Sequence, residues 1–377
     1  MRTIYLDNAA TSYPKPQAVK NAVFQAIEEE GGNAGRSAHR LAMRAEERVF
    51  SARETLKNFF GLKDERGVIF TKNATEAINL SVAVFAKEGS HVLCDDLSHN
   101  ALLRPLYALE DAGKISLSLF SSQKGASDLE KKWRPDTSLI ALTHASNIFS
   151  YISDAEAIGN FCEKHGVAFL LDASQSAGHC PIDIERIKAD VICLPGHKGL
   201  LGIMGAGVAL FRRWKGDYPP FLSGGAASYS KWRQMPKELP EHFEAGTLPL
   251  PAIAAMEAGV LWIKEQGLAS IRAHIGALEK ELLTGLATVP GILLYGKEHT
   301  GNGVISFSHP NFSCETLAAM LDEHGIAVRA GLHCAPTAHQ TLGTEKKGTV
   351  RISLGAFNTE KECEIFLDRL ERITHNE

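Results

Sequence analysis

The sequence lacks the long apolar segments and basic runs that mark membrane proteins and nucleic-acid-binding proteins. No part of its 377 residues approaches the roughly 18 uninterrupted apolar residues of a membrane helix, and residues 1–7 do not resemble a signal peptide. Basic residues come in runs no longer than Lys131-Lys132 or Lys346-Lys347, and the net charge is −4. We therefore expect a cytoplasmic protein that binds neither membranes nor nucleic acid.

Cysteine is also scarce. The seven cysteines are an odd number without a Cys-x-x-Cys pair, which argues against a disulfide framework. Apolar segments, typical of buried reduced thiols, contain Cys94, Cys162, Cys180, Cys193 and Cys363. Only Cys314 and Cys334 lie in loop-like sequence. His333, Cys334 and His339 are an alternative metal site, but no fourth ligand stands at a usual spacing, so we predict none.

The apolar pattern predicts an α/β fold. The chain is 44% hydrophobic and 22% charged, as expected for one large and one smaller globular domain. Short apolar runs alternate with helical patterns, which predicts a mostly parallel sheet between helices. The predicted strands are 68–70, 91–94, 117–120, 139–143, 167–171, 191–194 and 207–211.

A smaller C-terminal α+β domain is predicted to follow. Pro249 and Pro251 mark a break, after which residues 252–265 look like a connecting helix. The predicted order then is helix 268–286, strand 304–307, helix 313–324, strand 327–329, a loop around Cys334, strand 349–354 and a helix from 359. We predict an N-terminal arm at 1–14 lying across a large domain at 15–251 and a small one at 252–377.

Lys198 and Asp172 follow two of the predicted strands and indicate pyridoxal 5′-phosphate as cofactor. This cofactor needs a lysine amine for its aldehyde and a carboxylate that keeps its pyridine nitrogen protonated. Lys198 follows the apolar run 191–193, and Asp172 closes the run 167–171. Since ligands bind at the carboxyl ends of parallel strands, both side chains can face one cofactor.

Other strand ends deliver further apt residues. The free N–H groups at the predicted helix start, at Ala74 and Thr75, and the Thr75 hydroxyl make a phosphate site, although Thr75 alone could be an ordinary N-cap. His99 could stack on a flat cofactor or be an exposed loop histidine. Asn147 and Gln175 offer hydrogen bonds to the cofactor's phenolic oxygen. We interpret the set as one site because chance seldom places an apt residue at four strand ends.

Cys334 is the candidate nucleophile. The thiol lies beside His333 and five residues past Arg329, an electropositive and partly exposed setting that favours a reactive thiolate. The alternative is a buried, inert cysteine.

These motifs resemble those of the cysteine desulfurase and selenocysteine lyase group, class V aminotransferases of fold type I that use pyridoxal phosphate. The similarity runs from Tyr5 to Arg351, nearly the whole chain. Its most specific motifs are Gly196-His197-Lys198, Asp172-Ala173-Ser174-Gln175, Glu244-Ala245-Gly246-Thr247 and Arg329-Ala330-Gly331-Leu332-His333-Cys334-Ala335. The last motif resembles the subgroup with a short, ordered cysteine loop.

The resemblance implies a role for each cofactor-site residue. Lys198 would bind the aldehyde, Asp172 would pair with the pyridine nitrogen, and His99 would stack on the ring. Gln175 and Asn147 would form hydrogen bonds with the ring hydroxyl. The residues implied at the phosphate are Ala74, Thr75, His197 and, from the neighbouring subunit of a homodimer, Thr247.

Substrate binding is implied for a second group of residues. Arg351 resembles the arginine that binds the substrate carboxylate with both arms of its guanidinium. We predict that Arg329, Asn8 and Ala10 also contact the substrate, and that Cys334 takes its sulfur.

The chain departs from the family at two site positions. Pro195 stands where the family usually has serine or threonine, and proline offers the phosphate neither a hydroxyl nor a backbone N–H. Ser98 stands before His99 where an acidic residue is usual.

The resemblance implies a cysteine desulfurase that converts L-cysteine to L-alanine and holds the sulfur on Cys334 as a persulfide for an acceptor protein or thiol. Selenocysteine is a second possible substrate. One alternative is an aminotransferase or another β-lyase in which Cys334 is incidental. Another is a non-catalytic sulfur carrier or cofactor-binding scaffold.

Overall fold

Strands and helices alternate along the first half of the chain in the computed structural model, which describes residues 3–35, 39–214, 218–226, 231–296 and 299–375. The strands are β1 (Ile4–Tyr5), β2 (Val68–Thr71), β3 (Ser90–Asp95), β4 (Ile115–Phe120), β5 (Thr137–Thr143), β6 (Ala168–Asp172), β7 (Val191–Pro195), β8 (Gly207–Phe211), β9 (Leu293–Tyr295), β10 (Val304–Ser308), β11 (Ile326–Ala327), β12 (Arg329–Gly331) and β13 (Thr349–Ser353). The helices are α1 (Gln17–Glu28), α2 (Arg40–Phe60), α3 (Ala74–Phe85), α4 (Asn100–Asp111), α5 (Ala126–Lys132), α6 (Ala155–His165), α7 (Ile184–Ile187), α8 (Leu250–Gln266), α9 (Leu268–Leu286), α10 (Cys314–Glu323), α11 (Pro336–Leu342) and α12 (Glu360–His375).

The central sheet has seven strands in the order β2-β8-β7-β6-β5-β3-β4, and only β8 runs antiparallel to the others. Successive residues of one strand enter different apolar cores: Phe169 and Leu171 pack on one side, and Leu170 packs on the other. Helices cover both faces, which is why these strands are continuous apolar runs instead of alternating ones. The predicted α/β fold with a mostly parallel sheet is confirmed, and all seven predicted strands are present.

A second sheet, in the order β12-β13-β10-β9, is antiparallel throughout. The strand predicted at 327–329 is wrong as one unit, because the chain changes partners at Val328: β11 pairs with β1 and β12 pairs with β13. The prediction also missed β9 and α11, which stands where a loop around Cys334 was expected. Pro336 begins α11, at a position where a proline needs no hydrogen-bonding N–H.

The N-terminal segment makes hydrogen bonds to strands near the C-terminus and to the turn at His197. The Leu6 N–H donates to Ala327 O at 2.9 Å, and Ser353 N–H donates to Leu6 O at 2.7 Å. At the other end of the segment, Ser12 N–H donates to His197 O at 3.1 Å. The domain boundaries at 14/15 and 251/252 stay predictions, and α8 crosses the second one.

No helix within the described ranges is both long enough and apolar enough to cross a membrane.

Candidate active site

A cavity of about 110 Å³ lies at the carboxyl ends of the parallel strands. Parallel strands bring their carboxyl ends to one edge of a sheet, so residues distant in sequence meet there. Eight residues predicted for the cofactor line this one cavity: Ala74, Thr75, His99, Asn147, Asp172, Gln175, His197 and Lys198.

Lys198 lies in the turn that follows β7, and its environment disfavours a charged amine. Burial is the largest cause and lowers the pKa of Lys198 to about 8, the charge of Asp172 raises it, and Arg351 and Arg329 lower it further. Burial in turn raises the pKa of Asp172, whose Oδ1 accepts a hydrogen bond from Ser174 N–H at 2.9 Å. The site therefore contains a lysine that gives up its proton far more readily than an exposed lysine.

His99 is a neutral imidazole at pH 7. Burial, followed by the charges of Lys198 and the nearby arginines, lowers its pKa to about 4. Its Nδ1 accepts a hydrogen bond from Ala101 N–H at 3.0 Å, where it caps the start of α4. The proton of the neutral ring is therefore on Nε2.

The turn between β2 and α3 contains the N-cap of α3, for which the sequence analysis had considered Thr75. Asn73, not Thr75, is the N-cap, and its Oδ1 accepts a hydrogen bond from Glu76 N–H at 2.9 Å. Thr75 is therefore the second residue of α3, where its N–H has no carbonyl partner inside the helix. Gly207 lies against this turn so closely that a Cβ there would be 2.4 Å from the Asn73 carbonyl carbon.

Asn147 and Gln175 each use their amide nitrogen on the protein backbone. Asn147 Nδ2 donates to His333 O at 2.8 Å, and Gln175 Nε2 donates to Ala9 O at 3.0 Å. Asn147 Oδ1 is buried without a hydrogen-bond partner, as is His197 Nδ1. Two polar atoms of cavity-lining side chains are thus left for a bound molecule.

Cys334 lies on a tight turn from Leu332 to Ala335. The Ala335 N–H donates to Leu332 O at 3.0 Å, and both central residues have positive φ, 48° at His333 and 58° at Cys334. The Cys334 carbonyl accepts a hydrogen bond from Asn100 N–H at 2.7 Å, directly after His99. Cys334 is the one exposed cysteine of seven, as the prediction of an accessible thiol requires.

The electropositive group beside Cys334 is Arg329, whose Nη2 lies 3.7 Å from Cys334 Sγ. His333 supplies no charge, which corrects that part of the sequence interpretation: burial, then the charge of Arg351, lowers its pKa to about 2. Its Nε2 lies 3.1 Å from Thr349 O. No group of three metal-ligating side chains occurs in the described part of the chain.

Arg351 is almost fully buried and already has partners. Its Nη2 lies 2.7 Å from Asp7 Oδ1, and its Nη1 donates to Asn147 O at 3.0 Å. Nε is buried without a partner. A substrate carboxylate would therefore meet a guanidinium held in place by Asp7, so the predicted contact stays a prediction.

Six predicted residues do not line the cavity: Cys334, Arg351 and Arg329, and also Asn8, Ala10 and Thr247. Asn8 uses its side chain inside the protein, donating to Ser353 O at 3.0 Å and Asn358 Oδ1 at 3.1 Å, and nothing here supports a substrate contact. Ala10 does not line the cavity, and the exposed Thr247 lies near Asn33 instead, 3.4 Å from its Nδ2. The roles predicted for Ala10 and Thr247 stay untested.

The sequence analysis missed the polar support behind the cavity. Asp95, fully buried at the end of β3, accepts hydrogen bonds from Thr143 N–H at 2.8 Å and from the Ser98 hydroxyl. Ser98, which stands where the family usually has an acidic residue, thus uses its hydroxyl on the carboxyl group of Asp95. Burial raises the pKa of Asp95 to about 7. The sequence did contain a signal for Asp95: it is an acidic residue at the end of an apolar strand, the same pattern that identified Asp172.

The sequence model of the class V aminotransferase family matches residues 4–366. The chain belongs to this family. A probable cysteine desulfurase of Methanothermobacter thermautotrophicus is 32% identical, over 98% of this chain and 94% of its own length. A probable cysteine desulfurase of Synechocystis is 31% identical, over 98% of this chain and 90% of its own length.

Solved structures agree with the family assignment. The apo cysteine desulfurase from Thermococcus onnurineus has a TM-score of 0.92 and 32% identity, covering all of this chain and 95% of that one. A cysteine desulfurase from Escherichia coli has a TM-score of 0.88 and 25% identity, covering 99% and 95%. The fold is therefore that of the cysteine desulfurases.

Proposed function

We propose that the cavity binds pyridoxal 5′-phosphate. The donor and acceptor set fits this group: a lysine of lowered pKa, a buried carboxyl at Asp172, the helix start at Thr75, and two buried atoms without partners on Asn147 and His197. The bound cofactor would withdraw electrons from the substrate's α-carbon and so weaken the bonds around it.

Lys198 is the residue that can both bind the aldehyde and move a proton. A pKa of about 8 leaves a usable fraction of free amine near neutral pH. That amine can take the substrate's α-proton and return a proton later. Asp172 would hold the pyridine nitrogen in its protonated form, and His99 offers a neutral ring.

We propose that the reaction is cysteine desulfuration. The Cys334 sulfur attacks the sulfur of L-cysteine, an S–S bond forms and the substrate's C–S bond breaks. The electron pair of that bond stays with the substrate carbon, which takes up a proton to give L-alanine, and Cys334 carries a persulfide. A second thiol then takes the outer sulfur.

The position of the Cys334 turn carries this proposal. Its two central carbonyls accept hydrogen bonds from Asn147 and Asn100, which belong to the elements that form the cavity. The turn that carries the exposed thiol is thereby anchored to elements that form the cavity, although Cys334 itself does not line it. The relatives support the same reaction, since several are named cysteine desulfurases.

Further parts of the proposal concern substrate range and assembly. Selenocysteine is a second candidate substrate, because its weaker carbon–selenium bond needs less help from a thiol. We also propose a homodimer in which Thr247 reaches the cofactor phosphate of the other chain, with a thiol or acceptor protein as the sulfur acceptor.

The deciding experiment compares Cys334→Ala with the control Cys314→Ser. The native Cys314 thiol is buried, donates to Lys347 O and lies outside the cavity. With L-cysteine and a reductant, Cys314→Ser should release sulfide and alanine like wild type. Cys334→Ala should bind the cofactor normally but lose at least about 100-fold in rate, because a nucleophile held in place can act at an effective concentration of roughly 10⁵–10⁸ M. Selenide release from selenocysteine should fall less.

A different product pattern would reject this function. A keto acid in place of alanine, with no effect of Cys334→Ala, would indicate an aminotransferase. A protein that stays colourless with added cofactor would indicate a non-catalytic scaffold.

A further inference from the structure

Asn147 contacts three functional parts of the protein at once. Its Nδ2 donates to His333 O in the Cys334 turn at 2.8 Å, its backbone oxygen accepts a hydrogen bond from Arg351 Nη1 at 3.0 Å, and its side chain lines the cofactor cavity. We propose that Asn147 is a positioning residue that couples the Cys334 turn to the occupancy of the cavity. This inference rests on the proposed function.

The turn needs anchors because its backbone is unfavourable. Residues with a Cβ rarely adopt the positive φ found at both His333 and Cys334, and such a conformation persists only where the surroundings impose it. Three contacts do so: the Asn147 bond to His333 O, the Asn100 bond to Cys334 O, and the His333 ring at Thr349. Of the residues that make these contacts, only Asn147 also lines the cavity.

An asparagine side chain suits this double role. Its amide nitrogen must face the His333 carbonyl, because two oxygens would repel each other there, and this orientation leaves Oδ1 as an acceptor. Oδ1 is buried and has no hydrogen-bond partner. A molecule that donates to Oδ1 would therefore restrain the amide plane, and through Nδ2 it would restrain the turn.

Asn302 provides a matched control. It is also buried, its Nδ2 donates to Ser146 O at 2.8 Å, and its Oδ1 has no partner. It neither lines the cavity nor donates to the Cys334 turn. Asn302→Ala therefore removes the same kind of amide, one whose hydrogen-bond partner is Ser146, the neighbour of Asn147, without the proposed coupling.

The experiment measures how fast iodoacetamide alkylates Cys334, without substrate, in cofactor-free and cofactor-saturated protein. The six other cysteines are buried, and Cys334→Ala gives the background. Wild type and Asn302→Ala should react at least about fivefold more slowly when loaded, the lower end of usual coupling between sites. In Asn147→Ala the loaded and free rates should be nearly equal.

A general effect of the cofactor's charge on the thiol would persist in Asn147→Ala, and a retained ratio would overturn the proposal. If this variant does not bind the cofactor, the cofactor-free proteins decide: Asn147→Ala should react several-fold faster than wild type, and equal rates would overturn the proposal. Alkylation is measured without turnover, so a failed desulfurase assay would contradict the proposed function and leave this result standing.

Discussion

Burial is the main cause of the lowered pKa values of Lys198 and His99, which both line the cavity. It lowers the pKa of Lys198 to about 8 and that of His99 to about 4. The negative charge of Asp172 opposes the effect at Lys198, whereas Arg351 and Arg329 add to it. The carboxylate that we propose as the partner of the pyridine nitrogen therefore also limits how far the pKa of the lysine falls.

Asp172→Asn should lower the pKa of Lys198 below about 8, since it removes the larger of the two negative charges that raise this pKa, the other being Asp7. The rate at which cofactor-free protein captures added cofactor should rise with pH up to the lysine's pKa and then level off. The midpoint of that curve, followed by visible absorbance, should shift to lower pH in the variant. Asp154→Asn, at the exposed cap of α6, should leave it unchanged. An upward shift would contradict the charge assignment.

Pro195 lines the cavity but has neither a hydroxyl nor a backbone N–H to donate to a phosphate. It ends β7 opposite Gly207. If the phosphate lacks a partner there, Pro195→Ser should strengthen cofactor binding by about 1.5–3 kcal/mol, the range for a hydrogen bond to a charged group. Retention of the cofactor during dialysis measures this, with Pro195→Ala as the control that removes proline without adding a hydroxyl. Equal retention in both variants would show that the hydroxyl is irrelevant.

At the scale of elements, the start of α3 depends on a neighbouring strand. Asn73 caps the helix, and β8 passes so close that only glycine fits at position 207. The predicted helix start is present, and the alternative in which Thr75 is merely its N-cap is wrong, because Asn73 is the cap. Both residues are good caps, and the sequence alone does not show which one leaves the helical backbone.

Gly207→Ala should damage the turn before α3. The added Cβ would lie 2.4–2.8 Å from backbone atoms of Asn73 and Ala74. We expect a loss of about 1–3 kcal/mol in the free energy of unfolding, measured with urea on cofactor-free protein, together with weaker cofactor binding. Gly276→Ala is the control: its Cβ would be 3.7 Å from the nearest atom, and α9 should gain stability. Unchanged cofactor binding in Gly207→Ala would separate this turn from the phosphate site.

Elements were predictable where packing is uniform and were missed where tertiary contacts decide. The strands that end at Asp172 and Pro195 are buried on both faces, so their apolar runs mark them in the sequence. The region 326–342 is different. There β11 and β12 are short strands with different partners, and the Cys334 turn holds its shape through Asn147 and Asn100, which are distant in sequence.

At the scale of the whole molecule, an open groove lined by both apolar and charged side chains lies beside Gly246 and Leu248, the neighbours of Thr247. The groove measures about 540 Å³ and is lined in part by Met43, Phe50, Gly246 and Leu248. Met43 is 50% exposed and Phe50 is 56% exposed. In the homodimer that we propose, a second copy of the chain would cover this groove, and Thr247 would reach the cavity of that copy. Sequence motifs indicated the role of Thr247, but a single chain does not contain the partner that would complete it.

Mixing an inactive variant with an impaired one tests whether the sites are shared. Lys198→Ala should be inactive and Thr247→Ala impaired, each as a homodimer. If each cavity takes Thr247 from the other chain, a mixed dimer has one cavity with both defects and one with neither. Sulfide release per mixed dimer should then recover to about half of wild type. Sedimentation should show a dimer, because a specific interface of more than about 1,000 Å² holds two chains together in solution. Activity no higher than that of the Thr247→Ala homodimer would mean that Thr247 serves its own chain, and a fully active monomer would exclude the shared site altogether.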